Sequence, residues 1–280
     1  MTAAGGRRRE LGDFLRARRG RLDRAELGLP AVGRSRTTGL RREEVSFLSG
    51  VSVTWYTWLE QGRDINPSRQ VLDAIARTLQ LSGAESDYML SLAGHVGGRP
   101  TSDLSGHAPE HVQRLLDAME GSPAFAIEPD WVISGWNRAY AALYPNVATV
   151  AAEDRNLLYL VFTDPYVREL LPNWAMDSRR FLAEFRAEAG PRLAEPRFAA
   201  LVDRLKVESS DFAAGWDGHN IEGFTSRERL FHHPHVGDLR LEHHRLAPSD
   251  HPDLHLVIYT PVDGTDAAER LTRLLDSRTS

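Results

Sequence analysis

The apolar positions of the first hundred residues form short stripes at helical spacing. Leu11, Phe14, Leu15 and Leu22 outline one amphipathic helix. A polar loop from Arg24 to Gly39 follows, broken by Pro30 and rich in arginine. A second helix is expected from about Leu40, turning Val45 and Leu48 inward, and Gly50-Val51-Ser52 reads as a turn. Ser52 can cap a third helix that runs to Gln61 and stops at Gly62. Asn66-Pro67 supplies a start signal for a fourth helix, with Val71, Leu72, Ile75, Ala76 and Leu79 on its apolar face. Ser82 and Glu85 form a capping box for a fifth, which ends at Gly94.

Beyond His95 the period disappears. The stretch HVGGRPTSDLSGHAP holds glycine, proline and hydroxyl residues without apolar periodicity, and reads as a linker. The organisation expected is therefore a helical domain over 1–95, a linker over 96–108 and a second domain over 109–280. In the second part, Ala124–Glu128 and Trp131–Trp136 read as a hairpin about Pro129-Asp130. Asn137 caps a short helix to Leu143, and 153–217 reads as several helices. Residues 228–233, 238–246 and 254–260 alternate or cluster like strands, and Ala267–Leu275 closes as a helix. Strands, then helices, then strands predict an α+β domain with an antiparallel sheet and helices on one side.

Composition sharpens this division. The chain has 280 residues, enough for two domains at roughly 100–200 residues each. Hydrophobic residues at 41% and charged residues at 26% fit globular domains with real cores. Cysteine is absent, which excludes disulfides, thiolate catalysis and cysteine metal sites. The run Ala139–Ala152, 14 residues without a charged side chain, contains Pro145 and is too short and broken to span a bilayer. No apolar run follows Arg7-Arg8-Arg9, so no signal peptide is expected, and a cytoplasmic protein with no membrane partner is the expectation. The net charge of −5 hides an asymmetry: residues 1–99 carry 16 arginines against 11 acids, and the remainder 18 basic residues against 28 acids. A basic segment joined to an acidic one suggests that one part meets a polyanion.

The strongest local signal is Leu40–Arg63, LRREEVSFLSGVSVTWYTWLEQGR. Two short helices meeting at Gly-Val-Ser fit a helix-turn-helix, whose second helix enters the major groove of DNA. At 100° per residue, Tyr56 and Leu59 point inward with Val51, while Thr54, Thr57, Trp58 and Gln61 point outward. Ser52 and Trp55 complete the groove-facing candidates, Trp55 having an interior packing role as its alternative. Arg34, Arg36, Arg41, Arg42 and Arg63 flank this face as candidate phosphate contacts. An amphipathic helical hairpin with no nucleic-acid role is the bland alternative, which the flanking arginines weigh against.

At these residues the chain resembles the lambda-repressor-like, XRE-type helix-turn-helix proteins. The stretch GLRREEVSFLSGVSVTWYTWLEQGRDINPSRQVL is similar, more narrowly, to the MmyB-like transcription regulators. SPAFAIEPDWVISGWN, RNLLYLVFTDP, NWAMDSRRFLAEFRAEAG and HHPHVGDLRLEHHRL continue the likeness from about Leu11 to Leu275. In the wider helix-turn-helix family the position of Arg42 is commonly a glutamine that touches the phosphate backbone. The resemblance implies that the second domain is PAS-like, binds a small apolar or amphipathic molecule, and can hold a fatty acid. No other cofactor is expected.

Trp131, Trp136, Phe162, Trp174, Phe181, Phe185 and Trp216 are the aromatic candidates for such a pocket, with core packing as the bland alternative for each. Arg155 and Asn156 are candidates for a polar clamp at its mouth; a solvated helix start is the alternative. Histidines gather in the C-terminal part, but His232/His233 and His243/His244 must point to opposite faces of a strand. No metal is expected on these spacings. With no GxGxxG, phosphate loop or GxSxG motif, no catalytic residue is assigned and an enzyme is not expected. The partners expected are a palindromic double-stranded operator, a small-molecule effector and a second copy of the chain, the two heads reading half-sites about one turn apart. A ligand-free interaction and dimerisation module is the alternative for the second domain.

Overall fold

A computed structural model describes residues 3–23, 27, 39–95 and 106–277. Arg34 and Arg36 lie outside the described residues. The chain divides into two compact units. The first comprises Met1–Arg99, Arg186–Val202 and Ala214–Gly223; the second comprises Pro100–Phe185, Asp203–Ala213 and Phe224–Ser280.

The first unit opens with α1 (Ala3–Arg21), α2 (Arg42–Ser49), α3 (Val53–Glu60), α4 (Arg69–Thr78) and α5 (Gly83–Leu92). Its core gathers Leu11, Phe14, Leu15, Val45, Tyr56, Leu59, Leu72, Ile75 and Leu79, the stripes read from the sequence. Gly50 ends α2 at φ +73°, a left-handed geometry that only glycine adopts without strain. Gly12 lets α1 approach α3 closely: a Cβ there would stand 2.4 Å from the backbone oxygen of Glu60. Ser52 caps α3 by accepting from the Trp55 amide at 3.2 Å. Ser82 and Glu85 form the expected box on α5.

Two expectations are corrected here. Helix α4 starts at Arg69, because the hydroxyl of Ser68, not Asn66, accepts from the Val71 amide. Leu48 is 44% exposed, since Val45 and Ser46 fill the inner positions of a two-turn helix while Leu40 enters the core just ahead of it.

Two later segments complete this unit. Ile221 joins its core. The buried Arg186 guanidinium donates to the Trp216 carbonyl at 2.6 Å and reaches Glu10 at 3.3 Å, and Tyr88 donates to the same Glu10 oxygen at 2.8 Å.

The second unit opens with α6 (Glu110–Ala118), absent from the expected elements, whose Val112 and Leu116 are buried. The strands β1 (Ala124–Ile127), β2 (Ile133–Trp136), β3 (Arg227–His233), β4 (Gly237–Leu246) and β5 (His255–Pro261) form one sheet in the order β2-β1-β5-β4-β3, antiparallel throughout. Between β2 and β3 lie α7 (Arg138–Leu143), α8 (Leu157–Thr163), α9 (Pro165–Leu170), α10 (Trp174–Ala189), α11 (Pro196–Glu208) and α12 (Ser210–Trp216). Helix α13 (Ala267–Asp276) closes the chain. The last residues of α10 and α12, and the first of α11, belong to the first unit.

Strand β1 is buried at every position, so both its faces are covered. Ala124 and Ala126 pack with Val112, Leu116 and Leu256 on the α6 side. On the other side the Phe125 ring stacks on Tyr140 of α7 at 4.4 Å. Helices therefore cover both faces of β1, which corrects the expectation of helices on one side. In β3 and β4 the burial alternates: Arg229, Phe231 and His233 are inside, as are Leu239, Leu241 and His243. His232 and His244 face away from their buried neighbours, as strand geometry requires.

Candidate nucleic-acid interface and ligand cavity

The exposed side of α3 is built by its inner side. Tyr56 and Leu59 are buried in the core, so Thr54, Trp58 and Gln61 stand out and Thr57 is half-buried. Trp55 is half-buried against the core, the packing alternative raised for it. Beyond the helix, the Arg63 Nε donates to Gln61 at 3.0 Å and the guanidinium lies 5.6 Å from the Trp58 ring centre. Trp58, Gln61 and Arg63 thus form one exposed group at the end of α3. Arg41 is exposed at the start of α2, where its amide donates to Glu44 at 2.7 Å.

Arg42 is held differently. Its Nε donates to the buried carboxylate of Glu60 at 2.7 Å. Glu60 also takes Arg19 at 2.6 Å, and Arg19 donates to the Leu40 carbonyl at 2.7 Å. Burial pushes the Glu60 carboxyl up, but the two arginines outweigh it and hold it below the usual carboxylate range. One buried carboxylate therefore ties α1, the start of α2 and the end of α3. Sequence reasoning missed Glu60, although it shares the inward face with Tyr56 and Leu59 at i+4 and i+1.

In the second unit, an apolar cavity of about 40 Å³ lies against the sheet. Aliphatic side chains from α7, α8 and α9 wall it, together with Tyr140, Tyr144, Phe181, Phe231, Tyr259 and Arg229. Burial raises the three tyrosine hydroxyls, so they remain neutral. Arg229 is buried; its Nη1 donates to the Tyr259 hydroxyl at 3.1 Å, and its guanidinium lies 4.2 Å from the Phe181 ring centre.

Of the nine residues expected at a pocket, the structure brings only Phe181 to this cavity. Trp131 is core, with its ring edge-on to Phe181 and Phe185. Phe162 packs edge-on to Trp174 and Phe212. The Trp174 indole donates to the Val161 carbonyl at 2.8 Å. Trp216 belongs to the first unit, where Arg186 covers its ring at 4.0 Å. Arg155 spends its donors on the carbonyls of Val147 and Val150 at 3.0 and 3.1 Å and lies over Trp136. Asn156 caps α8 and donates to the Asp130 carbonyl at 2.6 Å. Both residues fold the loop; neither lines the cavity.

Residues 108–275 match the family model of the MmyB-like transcription regulator ligand binding domain, and residues 10–89 match a helix-turn-helix domain. The chain belongs to the MmyB-like regulators. None of the curated proteins is similar enough to count as a match. The regulator is accordingly a DNA-binding transcription regulator with a ligand-binding C-terminal domain. No described helix is long and apolar enough to cross a membrane.

The histidines fall mostly into structural roles. His233 is buried and its Nε2 lies 3.2 Å from the Ala142 carbonyl, while His232 pairs with Asp238 at 2.6 Å. His243 is buried against Tyr259 and Phe224, and burial holds its pKa well below the usual histidine range. His111, Asp250 and His251 bring potential ligand atoms within 4.8 Å of one another, at exposed or half-buried positions. His111 comes from α6, which spacing along the strands could not reveal.

Proposed function

We propose that the regulator reads a specific operator through the exposed side of α3 and senses an apolar or amphipathic, fatty-acid-like molecule through a PAS-like C-terminal domain. Thr54, Trp58 and Gln61 are the base-reading candidates, and Arg41 and Arg63 contact phosphate. The observation that carries the sensing half is the apolar cavity with a buried arginine in its wall. The functional unit is a homodimer on a palindromic operator, its two heads reaching successive major grooves. Ligand shifts the balance between arrangements of the heads by its differential affinity for them. The protein works where its DNA is, in the cytoplasm, and catalyses no reaction.

A second reading draws on the cavity's volume. At about 40 Å³ it holds about three waters, which favours a ligand-free interaction and dimerisation module. Native mass spectrometry of the full chain separates the two. A dimer with a few hundred daltons of excess mass per subunit, lost on denaturation, supports the sensor. A clean mass that stays clean after incubation with a fatty-acid panel supports the module.

A further inference from the structure

We propose that His111, Asp250 and His251 form a site for one divalent transition-metal ion of the zinc type, which fastens the start of α6 to the loop between β4 and β5. The inference is independent of the DNA and effector readings above. His111 is the second residue of α6, and Asp250 and His251 lie in the loop that follows β4. One ligand atom from each of the three side chains falls within 4.8 Å of the others. The His111 Nε2 stands 3.1 Å from the Asp250 Oδ2, and the rings of His111 and His251 stack at 5.6 Å between centres.

The donors set the class of ion. Zinc binds imidazole nitrogen and carboxylate oxygen at about 2.0–2.2 Å, so neighbouring donors of a tetrahedral site stand about 3.3 Å apart. The pair of His111 and Asp250 is already near that spacing, and a small rotation of the half-buried His251 ring brings the third donor in. Two imidazoles disfavour calcium and magnesium, which take oxygen ligands. They suit zinc and its neighbours in the first transition row. Water completes the fourth position.

The backbone holds these donors in place before any ion arrives. Pro109 precedes α6, and Pro248 and Pro252 bracket Asp250 and His251. Each proline fixes its own φ. The His251 amide donates to the Pro248 carbonyl at 3.2 Å, and the Leu254 amide donates to the His251 carbonyl at 3.0 Å, so the loop turns on both sides of His251. Val112 and Leu254 then enter the same apolar cluster. One small core thus anchors both segments, and the ion has to order side chains only. Strand geometry sends neighbouring residues to opposite faces, but a turned loop lets Asp250 and His251 converge. An exposed ion pair is the bland account, and His232 with Asp238 at 2.6 Å is such a pair. Among the described residues that pair has no second imidazole placed to join it, whereas His111 and Asp250 have His251. Since α6 opens the second unit, the ion would pin the first turn of that unit to its sheet.

The test uses the full chain, freed of any histidine tag and stripped of metal with a chelator, and zinc chloride as the probe. Calorimetry should give one tight site per chain, and calcium chloride should give none. His111→Gln and His251→Gln should each weaken zinc binding by about 100-fold or more, at least what losing a supporting residue costs. His232→Gln should leave it unchanged. X-ray absorption at the zinc edge of the loaded chain should show two imidazole nitrogens. Zinc binding that survives both substitutions is an adventitious ion only and overturns the site, as does no binding at all. If either histidine variant fails to fold, Asp250→Asn must show the loss, and its absence overturns the site equally.

Discussion

Each unit of the regulator buries a charge, and the two are treated in opposite ways. In the first, Glu60 accepts from Arg19 and Arg42 at 2.6 and 2.7 Å and sits where three helices converge. In the second, Arg229 gives one nitrogen to a neutral tyrosine and leaves a two-donor edge unmet. A satisfied buried charge fixes geometry, because every group around it is positioned by a hydrogen bond. An unsatisfied one costs stability without fixing anything. Glu60 accordingly belongs to the scaffold that presents α3.

Removing Glu60 should give the largest effect. Glu60→Ala strands Arg19 and opens the junction of α1, α2 and α3. The expected loss is about 2–4 kcal/mol, below the full cost of breaking a fully buried pair because Arg42 can turn to water. Urea denaturation followed by α-helical circular dichroism measures it, and operator affinity should fall in parallel. A loss under 0.5 kcal/mol would mean the carboxylate is dispensable, and the contrast with Arg229 would collapse.

The pH response separates the units next. Glu60 has its folded carboxyl below the ordinary glutamate value of about 4.5, so its stabilisation is present above about that pH and lost as the pH falls through the folded value. His243 has its folded pKa depressed below 6.5, so the unfolded chain takes up the proton first. Its unit loses stability as the pH drops below about 6.5, while the Glu60 junction holds until about 4.5. Hydrogen exchange at pH 7 and pH 5, compared at matched chemical rates, should show faster opening in β4 and β5 and little change in α3. His243→Phe should remove the difference. Equal loosening of both regions by pH 5 would contradict these assignments.

Much of the first unit was legible because helix and turn signals are local. The stripes of α1, α3 and α4, the glycine after α2 and the Ser82 capping box each lie within a few residues of their effect. The cavity was not legible, because its wall comes from α7, α8, α9, α10, β3 and β5, and no local pattern ties them. The aromatic residues drew attention by size, yet Trp131, Phe162 and Trp174 pack against one another or their neighbours. Arg155 drew attention as a cation near a helix start, but nearby carbonyls consume it. A weaker signal was available for the two buried charges. Arg229 shares the inward phase of β3 with Phe231, and Glu60 shares the inward phase of α3 with Leu59. A charged residue in the apolar phase of an amphipathic element must meet a partner or cost stability.

At the DNA face the expected effects are smaller and differ in kind. Thr54→Ala should alter preference at one base position by about 1 kcal/mol, the lower range for a side chain that reads a base edge. Arg63→Ala should weaken all sequences about equally and lower the salt slope by about one unit. Arg42→Ala should do both less cleanly, since it also removes a partner of Glu60. Gel-shift titrations over a salt series with two operator variants distinguish these. A Thr54→Ala protein with unchanged preference would remove that residue from the reading set.

The smallest expected effect carries the comparison furthest. Arg229→Met keeps the stem volume and removes the unmet fork. It loses one hydrogen bond to Tyr259 and the contact with Phe181, worth about 1 kcal/mol each. It gains the relief of an incompletely paired buried cation, which offsets a similar amount. The ligand-free protein should therefore change by less than about 1 kcal/mol in either direction, even though the side chain is as deeply buried as Glu60. A loss of 3 kcal/mol or more would show that Arg229 is held by its surroundings as firmly as Glu60 is, making it scaffold. A change near zero would show a buried charge that the fold does not need.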